Sequence, residues 1–295
     1  MRRTVMLVVV AGMLLASAAA VSAIDLSDFK GKVPSWALER KGVDISLGSM
    51  DSRATGGPDA AGYVFADSNE VGGPTFDWVE INGSGTQVLL GDDEVSAALP
   101  IGFTFNFYGT AYTDVYAVSN GFLSFLGDST AYTNQCPLPN ALAPNNLIAP
   151  LWDDLDPFDT SDPLYYQTFA AGSCPWNSYS GACFVVEYED FCLYPGGVDC
   201  TSAGTFEVIL FDNDEIVLQY LTAPVGGGAG ATVGIENADG SIGLSYSCNT
   251  DTLTDSLAIQ YGVSDQAADL VLTKTASATD VPVGGSFTFT IDLTN

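Results

Sequence analysis

Residues 54–273 contain no Lys, Arg or His, while the same stretch carries 29 Asp and Glu. Any fold built from it must place those carboxylates without one cationic side chain to pair with them. Charge compensation has to come from outside, from solvent cations, bound metal ions or a basic ligand. The absence also removes most catalytic machinery. There is no imidazole for general acid–base work, no amine for a Schiff base, and no guanidinium or ammonium to clamp an oxyanion. The formal net charge of the whole chain is −28. That argues against nucleic acid, because phosphate neutralisation needs Lys and Arg. It argues against anionic membrane surfaces for the same reason.

The chain is not an acidic disordered tail. Its 16 Phe and 13 Tyr can supply a core, and its 31 Gly and 14 Pro point to many turns. A length of 295 residues suits one large β domain or two ordinary ones. The start reads as a secretory signal, residues 1–23. Arg2 and Arg3 precede a short apolar run at 6–15, and Val21-Ser22-Ala23 offers small residues for cleavage after Ala23. Gly12 and Ser17 interrupt the run, which argues against a membrane anchor, and no second long apolar segment occurs. The expected location is secreted or cell-surface, with no transmembrane segment after cleavage.

Export makes the cysteines legible. Cys136, Cys174, Cys183, Cys192, Cys200 and Cys248 form an even set, as in a disulfide-stabilised exported protein. Zinc would need paired C-x-x-C motifs or His partners, and neither exists. Many pairings are open to six cysteines. Short loops keep partners close, so Cys192–Cys200 and Cys174–Cys183 are expected, which leaves Cys136–Cys248.

Composition divides the chain further. Residues 24–55 read as a linker or pro-segment, with a helix turn at 35–40. From Gly56 to about residue 267 short strands alternate with Gly, Pro, Asn and Asp turns. Phe103, Phe105 and Phe107 alternate with polar residues; Phe206, Val208 and Leu210 alternate with Glu207, Ile209 and Phe211. Period two is the signature of half-buried strands. Asp212-Asn213-Asp214 reads as the hairpin turn between two such runs. Asn120-Gly121 reads as a type I′ turn, in which both residues take positive φ. The expected fold is all-β, an antiparallel β-sandwich. Residues 268–295 hold two more strands around a Pro-Val-Gly-Gly turn, too few for a domain, and read as a truncated start of a further module.

Several stretches carry a family resemblance. They are GGPDAAGYVFADSNEVGGPTFDWVEI at 56–81, IGFTFNFYGTAYTDVYAVSNGFLSF at 101–125, PNNLIAPLWDDLDP at 144–157, YYQ at 165–167 and TFEVILFDNDEIVLQY at 205–220. In this order they resemble the nidogen-like (NIDO) extracellular domain, in the form carried by bacterial exported proteins. The last segment resembles the start of an Ig-like surface repeat. The resemblance implies a non-catalytic adhesion, scaffold or accessory module of a larger secreted or surface protein, with an extracellular protein or glycan as ligand. It brings no established active site. The EGF-like modules of animal members are absent, so a basement-membrane role does not transfer.

The best candidate site is the acidic run Asp153, Asp154, Asp156, Asp159 and Asp162. Five carboxylates so close repel one another unless a cation intervenes, and hard oxygen donors suit Ca²⁺. The spacing is not that of an EF-hand, and a solvated acidic loop is the competing reading. Asp92-Asp93-Glu94 is a lesser copy. Nothing selects a carboxylate pair for glycoside hydrolysis, and the aspartic-protease D-T-G is missing, so no catalytic residue is assigned. Trp176, in a Pro-Asn-Ser-Tyr loop, reads as an exposed ring that could stack on a sugar. Two alternatives to an adhesion module follow: a Ca²⁺-assisted carbohydrate-binding module, and the accessory region of an exported subtilisin-like protease.

Overall fold

The structure, a computed structural model, describes residues 55–157, 163–197 and 199–263, and the backbone of 271–276 and 289–294. The signal, the linker up to residue 54 and the helix turn expected at 35–40 lie outside the described residues, while Thr55, the last residue assigned to the linker, begins the first strand. Strands are numbered in chain order. One sheet runs β1 (Thr55–Gly56), β2 (Tyr63–Asp67), β15 (Leu257–Val263), β12 (Ile216–Thr222), β11 (Thr201–Phe211), β10 (Cys183–Leu193), β9 (Leu164–Phe169) and β3 (Thr86–Val88); β8 (Leu155–Asp156) also pairs with β10. The second runs β14 (Gly243–Cys248), β13 (Thr232–Glu236), β7 (Leu147–Trp152), β6 (Phe122–Ser124), β5 (Thr110–Val118) and β4 (Leu99–Phe107). The strand pairs of both sheets are antiparallel. The fold is all-β as expected. Among the described residues the one helical piece is a 3₁₀ turn, Trp176–Ser178.

The inner faces of the two sheets share one core. Phe105, Phe107, Ile148 and Ile235 of one sheet join Phe184, Phe206, Leu218 and Ile259 of the other. Two buried phenols bridge the layers. The Tyr188 hydroxyl bonds the carbonyls of Val118 and Phe122, and the Tyr220 hydroxyl donates to the Pro150 carbonyl at 2.6 Å. Each ring fills the core while its polar end stays satisfied. Three disulfides, Cys136–Cys248, Cys174–Cys183 and Cys192–Cys200, have Cα separations of 5.4, 5.6 and 5.7 Å, within the usual range. They are the pairs that loop length favours.

Three expectations need correcting. Strand β11 is not half-buried: Glu207, Ile209 and Phe211, on the face opposite Phe206 and Val208, are also sealed from solvent. An irregular strap at 75–82 and the Trp176 turn cover that outer face, where Val79, Ile81 and Trp176 form a second, smaller core with Val185, Ile209 and Phe211. Trp176 is therefore buried, its ring 5.0 Å from Phe211, and offers no exposed platform. The hairpin between β5 and β6 is a three-residue loop, 119–121, not a two-residue type I′ turn. Val118 pairs with Phe122, and only Gly121 takes positive φ, 73°. That is a type I turn closed by a left-handed residue.

The last two strands, β16 (Val271–Ala276) and β17 (Phe289–Thr294), pair antiparallel and lie outside the unit that holds the sandwich, residues 50–264.

Candidate functional site

Asn120 organises the acidic loops. Its side chain is fully buried within the 119–121 hairpin. Its Nδ2 donates to Asp93 Oδ1 at 2.7 Å and to the Thr130 carbonyl at 3.1 Å, and its Oδ1 accepts the Leu155 N–H at 2.9 Å. One amide thus ties the loop before β4 to the start of β8. Two further bonds hold the first loop in place. The Ser119 N–H donates to the Glu94 carbonyl at 2.9 Å, and the Glu94 N–H donates to Ser119 Oγ at 3.0 Å. Beside them, the Tyr194 N–H donates to the Asp154 carbonyl at 2.8 Å, which anchors the Cys192–Cys200 loop to the same edge.

The result is a triad of acids. Asp92, Asp93 and Asp154 each offer a carboxylate oxygen, and these oxygens lie within 4.8 Å of one another. Asp93 sits at φ 53°, a left-handed conformation that Asp tolerates better than most residues. Partial burial pushes the Asp154 carboxyl above its usual range, and Asp93, Asp92, Asp153 and Asp156 add repulsion. Burial raises Asp92 as well, with Asp156 and Asp93 adding to it. Crowded carboxylates of this kind gain from a shared cation, and their hard oxygens match the Ca²⁺ preference for six to eight oxygen ligands.

Of the five acids singled out in the sequence, Asp154 joins this triad. Asp153 is turned aside: its Oδ1 accepts the Asp154 N–H at 2.9 Å, its Oδ2 faces Gly230, and burial raises its carboxyl. Asp156 uses Oδ2 to accept the Gly196 N–H at 2.8 Å. Asp159 and Asp162 lie outside the described residues. The two other members come from the segment read as a lesser acidic copy. Sequence spacing could not join it to Asp154, because the link is made through Asn120.

Together these features define a class: a strongly anionic, disulfide-stapled β-sandwich module with an acidic centre at one edge. The chain belongs to the NIDO-related family, which matches residues 62–276. The nidogen-related part of the resemblance is thereby shown, and with it an extracellular type of domain. No curated protein and no solved structure matches the chain. No helix among the described residues is long and apolar enough to cross a membrane.

Proposed function

We propose that this chain is a non-catalytic adhesion or scaffold module of a larger secreted or cell-surface protein of bacterial type, continued by an Ig-like repeat. The observation that carries the reading is a NIDO-related sandwich stapled by three disulfides, in a stretch without a cationic side chain. Such a surface favours ligands that are neutral or basic. The test immobilises the chain and probes it with a panel of extracellular proteins and a glycan array, in calcium and in chelator. Saturable binding without turnover of the bound component is expected. Hydrolysis of a glycan or a peptide by the pure chain would overturn the reading.

The acid triad favours a second reading, a Ca²⁺-assisted binding module. Asp92, Asp93 and Asp154 would supply carboxylate ligands, and ligand contact would follow cation binding. Calorimetric titration with CaCl₂ should then give heat that Asp154→Asn abolishes. An unchanged heat in that variant would remove the triad as the site.

A further inference from the structure

The F-Y-G-x-x-Y stretch at 107–112 closes the β4–β5 hairpin, away from the acid triad. It frames a cavity of about 190 Å³ between the β4–β5 hairpin and the β13–β14 turn. That is smaller than the roughly 300–1,000 Å³ of drug-sized sites, and suits one sugar ring. Tyr108 and Tyr112 form aromatic walls, and both are fixed. The Tyr108 hydroxyl donates to Asp59 Oδ2 at 2.8 Å and its ring lies 4.7 Å from that of Tyr63. The Tyr112 ring lies 4.4 Å from that of Phe125.

The polar lining is selective. Asn146 is only 1 % exposed. Its Nδ2 donates to the Tyr112 hydroxyl at 2.9 Å, while its Oδ1 is buried without a hydrogen-bond partner. Its backbone is held as well, at φ 61°, by bonds to Asn237 and Phe125. An orphaned buried acceptor costs stability until a donor reaches it. The Tyr112 hydroxyl accepts from Asn146, so its own proton is left to donate. An acceptor and a donor side by side fit hydroxyl groups, which play both parts.

Charge narrows the ligand. No cationic side chain occurs in residues 54–273, so phosphates and carboxylates have nothing to pair with. A cationic amine would have only the tyrosine faces and one exposed carboxylate to rely on, and choline is therefore the competing probe. The carboxylate in the lining, Asp239, is exposed, and its Oδ1 already accepts from Ser241 N and Oγ.

We propose that this cavity is a subsite for one neutral sugar ring, stacked against Tyr108 and Tyr112, with hydroxyls bonded to Asn146 Oδ1 and the Tyr112 hydroxyl. The proposal rests on the reading of the domain as a binding module. It does not need the acid triad.

The test is saturation-transfer NMR on the full chain with the methyl glycosides of glucose, galactose, mannose and N-acetylglucosamine, and with choline as the amine probe. At least one glycoside should receive saturation and choline should not. Thr110→Trp fills the mouth from an exposed position and should abolish the signal while thermal unfolding stays that of the parent. Tyr112→Phe keeps the ring, removes the hydroxyl, and should weaken binding about tenfold. No saturation of any glycoside, or saturation of choline alone, overturns the proposal. A glycoside signal that survives Thr110→Trp also overturns it, and leaves the binding-module reading standing at another site.

Discussion

At Gly121 the backbone turns with φ 73°, and a Cβ there would lie 1.9 Å from the Leu151 carbonyl oxygen. Backbone cannot yield as a flexible side chain can, because the Leu151 N–H donates to the Gly121 carbonyl in the same contact. The loop that presents Asn120 to both acidic segments therefore depends on the missing side chain. Gly121→Ala should cost on the order of 3–5 kcal/mol, from the clash and the left-handed backbone together. Urea denaturation measures it, and a midpoint near that of the parent would mean the hairpin relaxes at little cost. Asn-Gly was legible as a turn because the pair favours turn backbone. The role of the Asn120 side chain was not, because it depends on two segments brought together by the fold. Trp176 shows the same limit. Its Pro- and Ser-rich surroundings look like an exposed loop, yet the Asn177 N–H donates to Asp77 Oδ2 and the turn is drawn down onto the sheet.

The strap at 75–82 is the element that the alternating pattern could not reveal. A row of side chains crosses the outer face of the larger sheet, with Glu187 of β10 opposite Glu207 of β11 and Glu207 opposite Gln219 of β12. Alternate strap amides bond to that row. Asp77 N–H donates to Gln219 Oε1 at 2.7 Å, Val79 N–H to Glu207 Oε1 at 3.2 Å and Ile81 N–H to Glu187 Oε2 at 3.1 Å. Gln219 Nε2 closes the row onto Glu207 Oε1 at 2.6 Å. Ile209 and Phe211 on the nominal solvent face of β11 were the available hint, since large apolar side chains there call for a cover. Burial pushes the Glu207 carboxyl well up, with Glu187 and Glu80 adding to it, against the bonds from Val79 and Gln219. Burial raises Glu187 to about 7 from 4.5, with Glu80 and Glu189 adding to it, against the bond from Ile81. No cationic side chain occurs among the described residues of the sandwich, 55–263; the charged and titratable neighbours of these two groups are Glu80, Glu189 and Tyr165. A carboxyl with a raised folded pKa holds its proton more tightly folded than unfolded. The folded state, strap included, should thus be most stable below about pH 4.5 and lose that stability as pH rises through about 7, even though each strap amide bonds the ionised carboxylate more strongly. Hydrogen exchange should show the amides of Asp77, Val79 and Ile81 losing protection between about pH 6 and pH 9 beyond the intrinsic rate change, while β11 amides keep theirs. Glu207→Gln keeps the acceptor and cannot ionise, so its Val79 amide should stay protected while that of Ile81, held by Glu187, still responds to pH. Equal loss at Val79 in parent and variant would show that Glu207 does not control the strap.

Over the whole molecule, connectivity and charge set the stability. The sandwich, its antiparallel order and its disulfide pairs were legible because strand period, turn residues and loop lengths are local quantities. The burial of both faces of β11 and the joining of Asp92 and Asp93 to Asp154 were not, because they depend on contacts far apart in sequence. Loop length also ranks the disulfides. Cys136–Cys248 spans 112 residues and Cys192–Cys200 spans 8. If cross-links act by restricting the unfolded chain, losing the longer one should cost roughly 2 kcal/mol more. Chemical denaturation of the two double-serine variants measures that difference, and a reversed order would favour native-state strain instead. Charge acts on a larger scale. With 29 acids and no cationic side chain in residues 54–273, neighbouring carboxylates repel one another wherever the fold gathers them. Screening reaches across about 10 Å at 0.1 M salt, so added NaCl should raise the melting temperature, most steeply at low ionic strength. This response is general and needs no site. Ca²⁺ at matched ionic strength separates the two effects. If Asp92, Asp93 and Asp154 hold a cation, Ca²⁺ should raise the melting temperature further by mass action on the folded state. Asp154→Asn should remove that increment and leave the NaCl response in place. Equal curves for Ca²⁺ and Na⁺ in the parent would reduce the triad to a crowded acidic edge stabilised by screening alone.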